Sequence, residues 1–280
     1  MERQQFKRLR IDLDDLEWIY IPDVVYAEYD NCKRHLQMLV PYRYELKEQI
    51  NYPLILFIPG SAWYKQEVYN AIPSYVKLAE RGVVIAVLQY RESTIAHFPA
   101  QVEDAKAAIR FLISKSEEFH IDVNNIFIAG NSSGGHIALM TGLTNSNGEF
   151  KIRGIIAEST PSDIIKDIED TMRAGATDGF EPGKDLLGVS KLEDNMELAR
   201  SACCEKYITR DRKIPPILLF HGTKDGIVSI EQSRNLFSLL KKFDKEVSYY
   251  EIVDGSHGGA CFWTKEILDI IEKFLIRNAY

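Results

Sequence analysis

The feature that most constrains the fold is an alternation of two kinds of segment along almost the whole chain. Short apolar runs stand at residues 54–58, 83–88, 126–129, 154–157, 217–220 and 247–252. A strand without polar alternation must be covered on both faces, as a central strand of a parallel sheet is. Between these runs lie stretches of helical period at 71–81, 101–119, 136–143, 231–242 and 262–276. Two earlier runs, 24–29 and 35–40, are joined by the turn Asp30-Asn31-Cys32-Lys33 and predict an antiparallel lead-in. Strand and helix in alternation fold as a doubly wound sheet with helices on both faces. The expectation is an α/β protein with an eight-stranded, mostly parallel sheet, formed as one domain over residues 1–280.

One segment breaks the alternation. Residues 159–213 separate two predicted strands by far more than the about 4–6 residues of an ordinary connection. The segment is polar, carries Gly175, Gly179, Gly183 and Gly188, and holds short helix candidates at 162–172 and 194–202. It follows the carboxyl end of a strand, where α/β sheets bind their ligands, so it reads as a cap or lid.

The strand at 126–129 runs into Gly130-Asn131-Ser132-Ser133-Gly134, and a small-residue helix follows. This is G-x-S-x-G in the strand–turn–helix context that makes the pattern specific. The glycines remove the Cβ atoms that would collide in so sharp a turn, and the turn lifts the Ser132 hydroxyl clear of the sheet. At the helix N-terminus the free N–H of Ser133 can receive a developing oxyanion. The glycine spacing selects Ser132 over Ser133 as nucleophile. Its base should be a histidine, the side chain best matched to proton transfer near neutral pH. Of the six histidines, His257 lies in a glycine-rich loop after the last predicted strand, where the order nucleophile, acid, histidine places the base. His221 ends a buried strand and reads as structural; His136 reads as a packing or surface residue. Asp225 stands at the carboxyl end of the 217–220 strand and is the preferred acid. Asp163 and Asp254 compete with it, Asp254 being close to His257 in sequence.

These motifs, together with Phe98-Pro99-Ala100-Gln101-Val102-Glu103-Asp104, resemble bacterial α/β-hydrolase carboxylesterases of the acetyl esterase, xylan acetyl esterase and feruloyl esterase branch, more distantly related to hormone-sensitive-lipase-like enzymes. Leu186-Leu187-Gly188 and Glu197-Leu198-Ala199-Arg200-Ser201 resemble that branch's cap. The resemblance implies an α/β-hydrolase fold and a serine esterase that needs no cofactor and no metal. Its H-G-G-G-W segment is replaced here by Pro59-Gly60-Ser61-Ala62-Trp63. Any residue but proline supplies a backbone N–H, so Ser61 and Ala62 both remain candidate oxyanion donors beside Ser133. The Ser61 hydroxyl is a further candidate, and Trp63 is a candidate wall of a small acyl pocket or a core residue. The expected substrate is a short-acyl ester of a carbohydrate or another small alcohol. An amide hydrolase of the same fold, arylformamidase or peptidase, is the alternative, and a non-catalytic binding protein is a further one.

Charge and cysteine usage set the remaining expectations. A net charge of -7 argues against nucleic acid and anionic membrane as partners. A homo-oligomer is compatible with the sequence. Cys32, Cys203, Cys204 and Cys261 show no zinc or redox spacing and read as reduced thiols. The first twenty or so residues lack the apolar run of a secretory signal. The expected location is the cytoplasm.

Overall fold

A computed structural model of the chain describes residues 8, 17–42, 50–145, 148–173, 175 and 179–279. The lead-in hairpin pairs β1 (Glu17–Tyr29) with β2 (Cys32–Tyr42), Tyr29 standing opposite Cys32. Asp30 and Asn31 form the two-residue turn with φ of 47° and 61°, the positive angles that match the twist of a hairpin. Both strands are longer than the sequence pattern predicts. The register slips between Ile21 and Val24, where Pro22 and a left-handed Asp23 (φ 52°) form an irregularity on this edge strand. That slip interrupts the apolar alternation, so the pattern becomes readable only from Val24 onward.

The remaining strands are β3 (Tyr52–Ile58), β4 (Val84–Leu88), β5 (Ile121–Asn131), β6 (Ile152–Glu158), β7 (Ile217–Gly222) and β8 (Val247–Ile252). The sheet is eight-stranded in the order β1-β2-β4-β3-β5-β6-β7-β8, with β1–β2 and β2–β4 antiparallel and every later pair parallel. All residues of β4 are buried, as its unbroken apolar run requires.

Successive side chains serve opposite faces. Leu54, Leu56 and Ile58 join a core with α2 (Ala100–Ser114), α3 (Ser133–Leu143) and α7 (Glu231–Lys242). Ile55 and Phe57 join a second core with α1 (Ile72–Ala79) and α8 (Lys265–Asn278). The insertion folds into α4 (Ile164–Arg173), α5 (Pro182–Leu187) and α6 (Met196–Ala202), with 3-10 turns at Glu193–Asn195 and Cys204–Tyr207. Residues 174 and 176–178 of the insertion, like residues 1–7 and 9–16 of the N-terminus, lie outside the described residues. Helix α5 is too short to show a period, which is why the sequence pattern misses it. Ile164, Ile168, Leu186, Leu187, Ala199 and Ala202 are buried in the first core, so α4, α5 and α6 of the insertion pack against the body of the molecule.

The strand order reverses between β3 and β5, with α1 and α2 on opposite faces. That switch point opens a crevice at the carboxyl ends of β3 and β5. The 59–63 turn, the Gly130–Gly134 turn and the insertion all meet there.

Candidate active site

Ser132 stands between β5 and α3 with φ 53° and ψ −128°, a conformation that costs a non-glycine residue about 1–3 kcal/mol. Its neighbours leave no alternative. A Cβ at Gly130 would fall 2.4 Å from the Gly134 carbonyl oxygen, and one at Gly134 would fall 1.9 Å from the Ile58 carbonyl oxygen. The Ser132 N–H donates to the Glu158 carbonyl at 2.8 Å, tying the turn to β6.

His257 reaches this hydroxyl from the loop after β8. Its Nε2 lies 2.9 Å from Ser132 Oγ and its Nδ1 lies 2.8 Å from Asp225 Oδ2. An ionised carboxylate only accepts, so Nδ1 carries the proton and Nε2 is left to accept from Ser132. Asp225 is also held from its other side. Its Oδ1 accepts the N–H groups of Ile227 at 2.9 Å and Val228 at 3.0 Å, and His221 Nε2 stands 3.2 Å from Oδ2. Burial works to raise the Asp225 carboxyl, but the hydrogen bonds from His221, His257 and Ile227 outweigh it and hold the group well below the usual carboxylate range. The competing acids are elsewhere. Asp163 accepts the Lys166 N–H at the start of α4, and exposed Asp254 pairs with Lys224 at 2.8 Å.

In the candidate oxyanion turn, where Ser61 and Ala62 are alternative donors, Ser61 is engaged in holding the turn itself. Its N–H donates to Ser133 Oγ at 2.9 Å and its hydroxyl donates to the Tyr64 carbonyl at 2.6 Å, so both donors are spent holding the turn. The Tyr90 hydroxyl, 2.8 Å from Ser61 Oγ, completes this buried network. Ala62 and Trp63 both take positive φ, 52° and 60°, the conformation for which a glycine-rich version of this turn is suited. The Ala62 N–H bonds to no protein group among the described residues, and Ser133 contributes the free N–H of a first helical residue.

Trp63 is both core and wall. It is buried, its Nε1–H donates to His136 Nδ1 at 3.2 Å, and it borders the cleft that holds Ser132. His136 Nε2–H in turn donates to the Ala202 carbonyl of α6 at 2.8 Å. Burial pushes His136 down to about 4, so it is the neutral imidazole that links the oxyanion turn to the insertion.

The cleft has a volume near 690 Å³ and contains Ala62, Trp63, Ser132, Ser133 and Asp225 in its lining. The insertion supplies Asp167, Asp170, Thr171, Phe180 and Pro182, and the loop after β7 supplies Ile227 and Val228. Among the described residues, no lysine or arginine lines it. Burial, with Asp170 and Asp163 adding to it, pushes the Asp167 carboxyl up to about 6, while His257 acts the other way. Sequence reasoning missed Asp167 as a cleft residue and His221 as a partner of Asp225. The four-residue spacing of His221 and Asp225 within H-G-x-x-D was the available signal for the second; nothing in the sequence marked the first. Among the described residues no group of His, Cys, Asp and Glu is arranged to hold a metal ion, and no helix is long and apolar enough to cross a membrane. All four cysteines are free.

A strained serine at a helix N-terminus, hydrogen-bonded to a carboxylate-supported histidine, is an arrangement suited to acyl transfer. The BD-FAE family model matches residues 42–240, most of the sheet and the whole insertion. The chain belongs to the BD-FAE family. It is thus an α/β-hydrolase of the carboxylesterase kind. Esterase LipC of Mycobacterium tuberculosis is 27% identical over 219 residues, 74% of this chain and 53% of LipC. The isoprenylcysteine alpha-carbonyl methylesterase ICME of Arabidopsis thaliana is 28% identical over 211 residues, 68% of this chain and 46% of its own length. The chain spans about half the length of the curated relatives it matches. Among solved structures, a truncated carbohydrate esterase from gut microbiota superposes with a TM-score of 0.78 at 22% identity, covering 95% of this chain and 97% of that one. An acetyl ester-xyloside bifunctional hydrolase from Caldicellulosiruptor lactoaceticus superposes at 0.72 with 23% identity, covering 92% and 96%. These likenesses show that the fold is that of the α/β-hydrolases.

Proposed function

We propose that this protein is a serine carboxylesterase acting on short-acyl esters of carbohydrate or similar polyol alcohols. The observation that carries the reading is the continuous hydrogen-bonded line from Ser132 through His257 to Asp225 at the mouth of a substrate-sized cleft. In the proposed reaction His257 takes the Ser132 proton as Oγ attacks the ester carbonyl. The N–H groups of Ala62 and Ser133 receive the oxyanion, and His257 returns the proton to the departing alcohol. Water then attacks the acyl-enzyme by the same route and releases the acid. Asp225 keeps the Nδ1–H tautomer and stabilises the imidazolium that forms.

Two features support a small acyl group and a hydroxyl-rich alcohol. Ala62 and buried Trp63 stand beside the nucleophile where a longer chain would need space. The carboxylates of Asp167 and Asp170 and the hydroxyl of Thr171 offer acceptors for sugar hydroxyls, and the lack of a lining cation among the described residues disfavours anionic esters. The names of the structural neighbours, a carbohydrate esterase and an acetyl ester-xyloside hydrolase, agree with that class. The insertion, by lining one side of the cleft, is assigned the part of a cap.

The test is covalent labelling with a fluorophosphonate followed by peptide mass spectrometry. The expected adduct is on Ser132, absent in Ser132→Ala and retained in Ser133→Ala. An adduct on any other residue removes the assignment.

A further inference from the structure

A second crevice, of about 380 Å³, lies behind the catalytic loops, between the start of α1 and the loop that follows His257. Its wall toward the nucleophile is formed by Gly60 and Asn131, and its far wall by Gly258, Gly259 and Trp263. Glu158, the last residue of β6, lines it and is only 4% exposed. Among the described residues the Glu158 carboxyl has neither a hydrogen-bond donor nor a counter-charge. A buried carboxyl without a partner is costly and needs a reason. The mechanism proposed above uses only the backbone carbonyl of this residue and leaves its side chain idle.

The chemistry around Glu158 is selective. Tyr75 and Trp263 give aromatic surface, Glu67 adds a second carboxylate, and Asn70 and Ser74 supply further acceptors. Among the described residues, no lysine or arginine lines the crevice. The geometry points to a binding site for a small alkylammonium ion, whose N–H donors pair with Glu158 and whose alkyl part lies against Tyr75 and Trp263. A carboxylate with aromatic walls favours an organic ammonium over a hydrated metal ion, because the rings offer attraction to the cation but no ligand atom. The site is distinct from the catalytic cleft, which is lined by Asp167 and Asp170 instead. Occupancy would brace Gly258 and Gly259, which take φ of 75° and 88° directly after His257.

Burial alone pushes the Glu158 carboxyl up to about 8, so an arriving ammonium must displace a proton near neutral pH. Apparent affinity is then expected to rise with pH up to about 8 and level off above it. Other titratable or charged groups around the crevice are Tyr75 and Glu67 in its walls, Lys77, whose ammonium donates to the Trp263 carbonyl at 3.0 Å, and His257 beside Gly258.

The experiment is calorimetric titration of the full chain with n-butylammonium chloride, with butan-1-ol and potassium chloride as controls, at pH 6, 7, 8 and 9. The expected result is saturable binding of the ammonium alone, tightening from pH 6 to 8. Glu158→Gln should weaken it about tenfold or more and flatten the pH dependence, whereas Asp167→Asn should leave it unchanged. Equal binding of butan-1-ol, or saturation by potassium ion, overturns the ammonium site on the unaltered protein, whether or not the variant folds. Weakening by Asp167→Asn but not by Glu158→Gln places the ion in the catalytic cleft and also overturns it. None of these arms depends on esterase activity, so they stand or fall apart from the function proposed above.

Discussion

Asp225, the proposed acid, shows at the scale of one side chain how surroundings hold a carboxylate. Two N–H groups from its own loop and two imidazoles surround the carboxylate, so it is ionised and aimed before any substrate arrives. Asp225→Asn keeps the shape but presents an NH2 group or a neutral oxygen to His257, which loses its tautomer. The expected loss of kcat is about 10⁴-fold, as for the same change in a well-studied serine protease. Asp163→Asn and Asp254→Asn should stay within a few-fold of the parent, since neither contacts His257; a larger loss for Asp163→Asn than for Asp225→Asn overturns the assignment. Glu158 carries a stability prediction of the opposite kind. Its folded value of about 8 lies above the ordinary carboxyl value of 4.5. The folded form therefore holds the proton more tightly, and the advantage is full below about 4.5 and disappears as pH rises through about 8. Glu158→Gln, which never ionises, should thus gain in melting temperature over the parent as pH goes from 5 to 9. A difference that stays constant over that range refutes the buried-acid account.

Between elements, one imidazole joins three parts of the molecule. His136 on α3 accepts from Trp63 in the oxyanion turn and donates to Ala202 on α6. Protonation would turn Nδ1 into a donor facing the Trp63 N–H, so the bridge exists only in the neutral form. The folded value of about 4 lies below the ordinary imidazole value of 6.5. Here stability is fully present above about 6.5 and is lost as pH falls toward 4, at about 1.4 kcal/mol per unit within that window. Urea unfolding at pH 7.0 and 5.0 tests this. His136→Gln, whose amide can both accept and donate, should show a smaller loss on acidification than the parent; equal losses would falsify the bridge as the acid-sensitive element. Elements also explain why Ser61 was hard to assign. The residue type allows its N–H to serve the oxyanion, but packing of the turn on α3 sends it to Ser133 Oγ. Ser133→Ala should retain the nucleophile and lose about tenfold in kcat, because the turn that presents the Ala62 N–H is then unbraced.

For the molecule as a whole, the proposed function places substrate choice in the space between body and insertion. If Ala62 and Trp63 bound a small acyl pocket, kcat/KM for p-nitrophenyl esters should be highest at acetate or propionate and fall toward octanoate. Each methylene that a pocket accepts contributes roughly 1 kcal/mol, so the series is sensitive. An optimum at hexanoate or longer refutes the small pocket. Asp167 lies on α4 and reaches the cleft from the insertion. Asp167→Asn should therefore raise KM for acetylated xylo-oligosaccharides several-fold and leave p-nitrophenyl acetate nearly unaffected. Equal effects on the two substrates would deny the insertion a part in recognising the alcohol.

Read alone, the sequence was enough for the succession and kind of the sheet elements, for the sharp Gly130–Gly134 turn, and for Ser132 and His257 as the candidate nucleophile and base. Those features are local: apolar period sets strand or helix, and glycine spacing permits one sharp turn. It was blind where the answer depends on direction in space. Asp163, Asp225 and Asp254 differ little as sequence neighbours of strands, yet only the pairing of β7 with β8 carries Asp225 to the His257 ring. Ser61 and Ala62 are adjacent amides, and only the approach of α3 decides which N–H is consumed. Burial of Glu158, Asp167 and His136 arises from segments distant along the chain closing over them. Desolvation and hydrogen-bond geometry depend on what surrounds a group in three dimensions, and that is settled when the sheet, its helices and the insertion pack together.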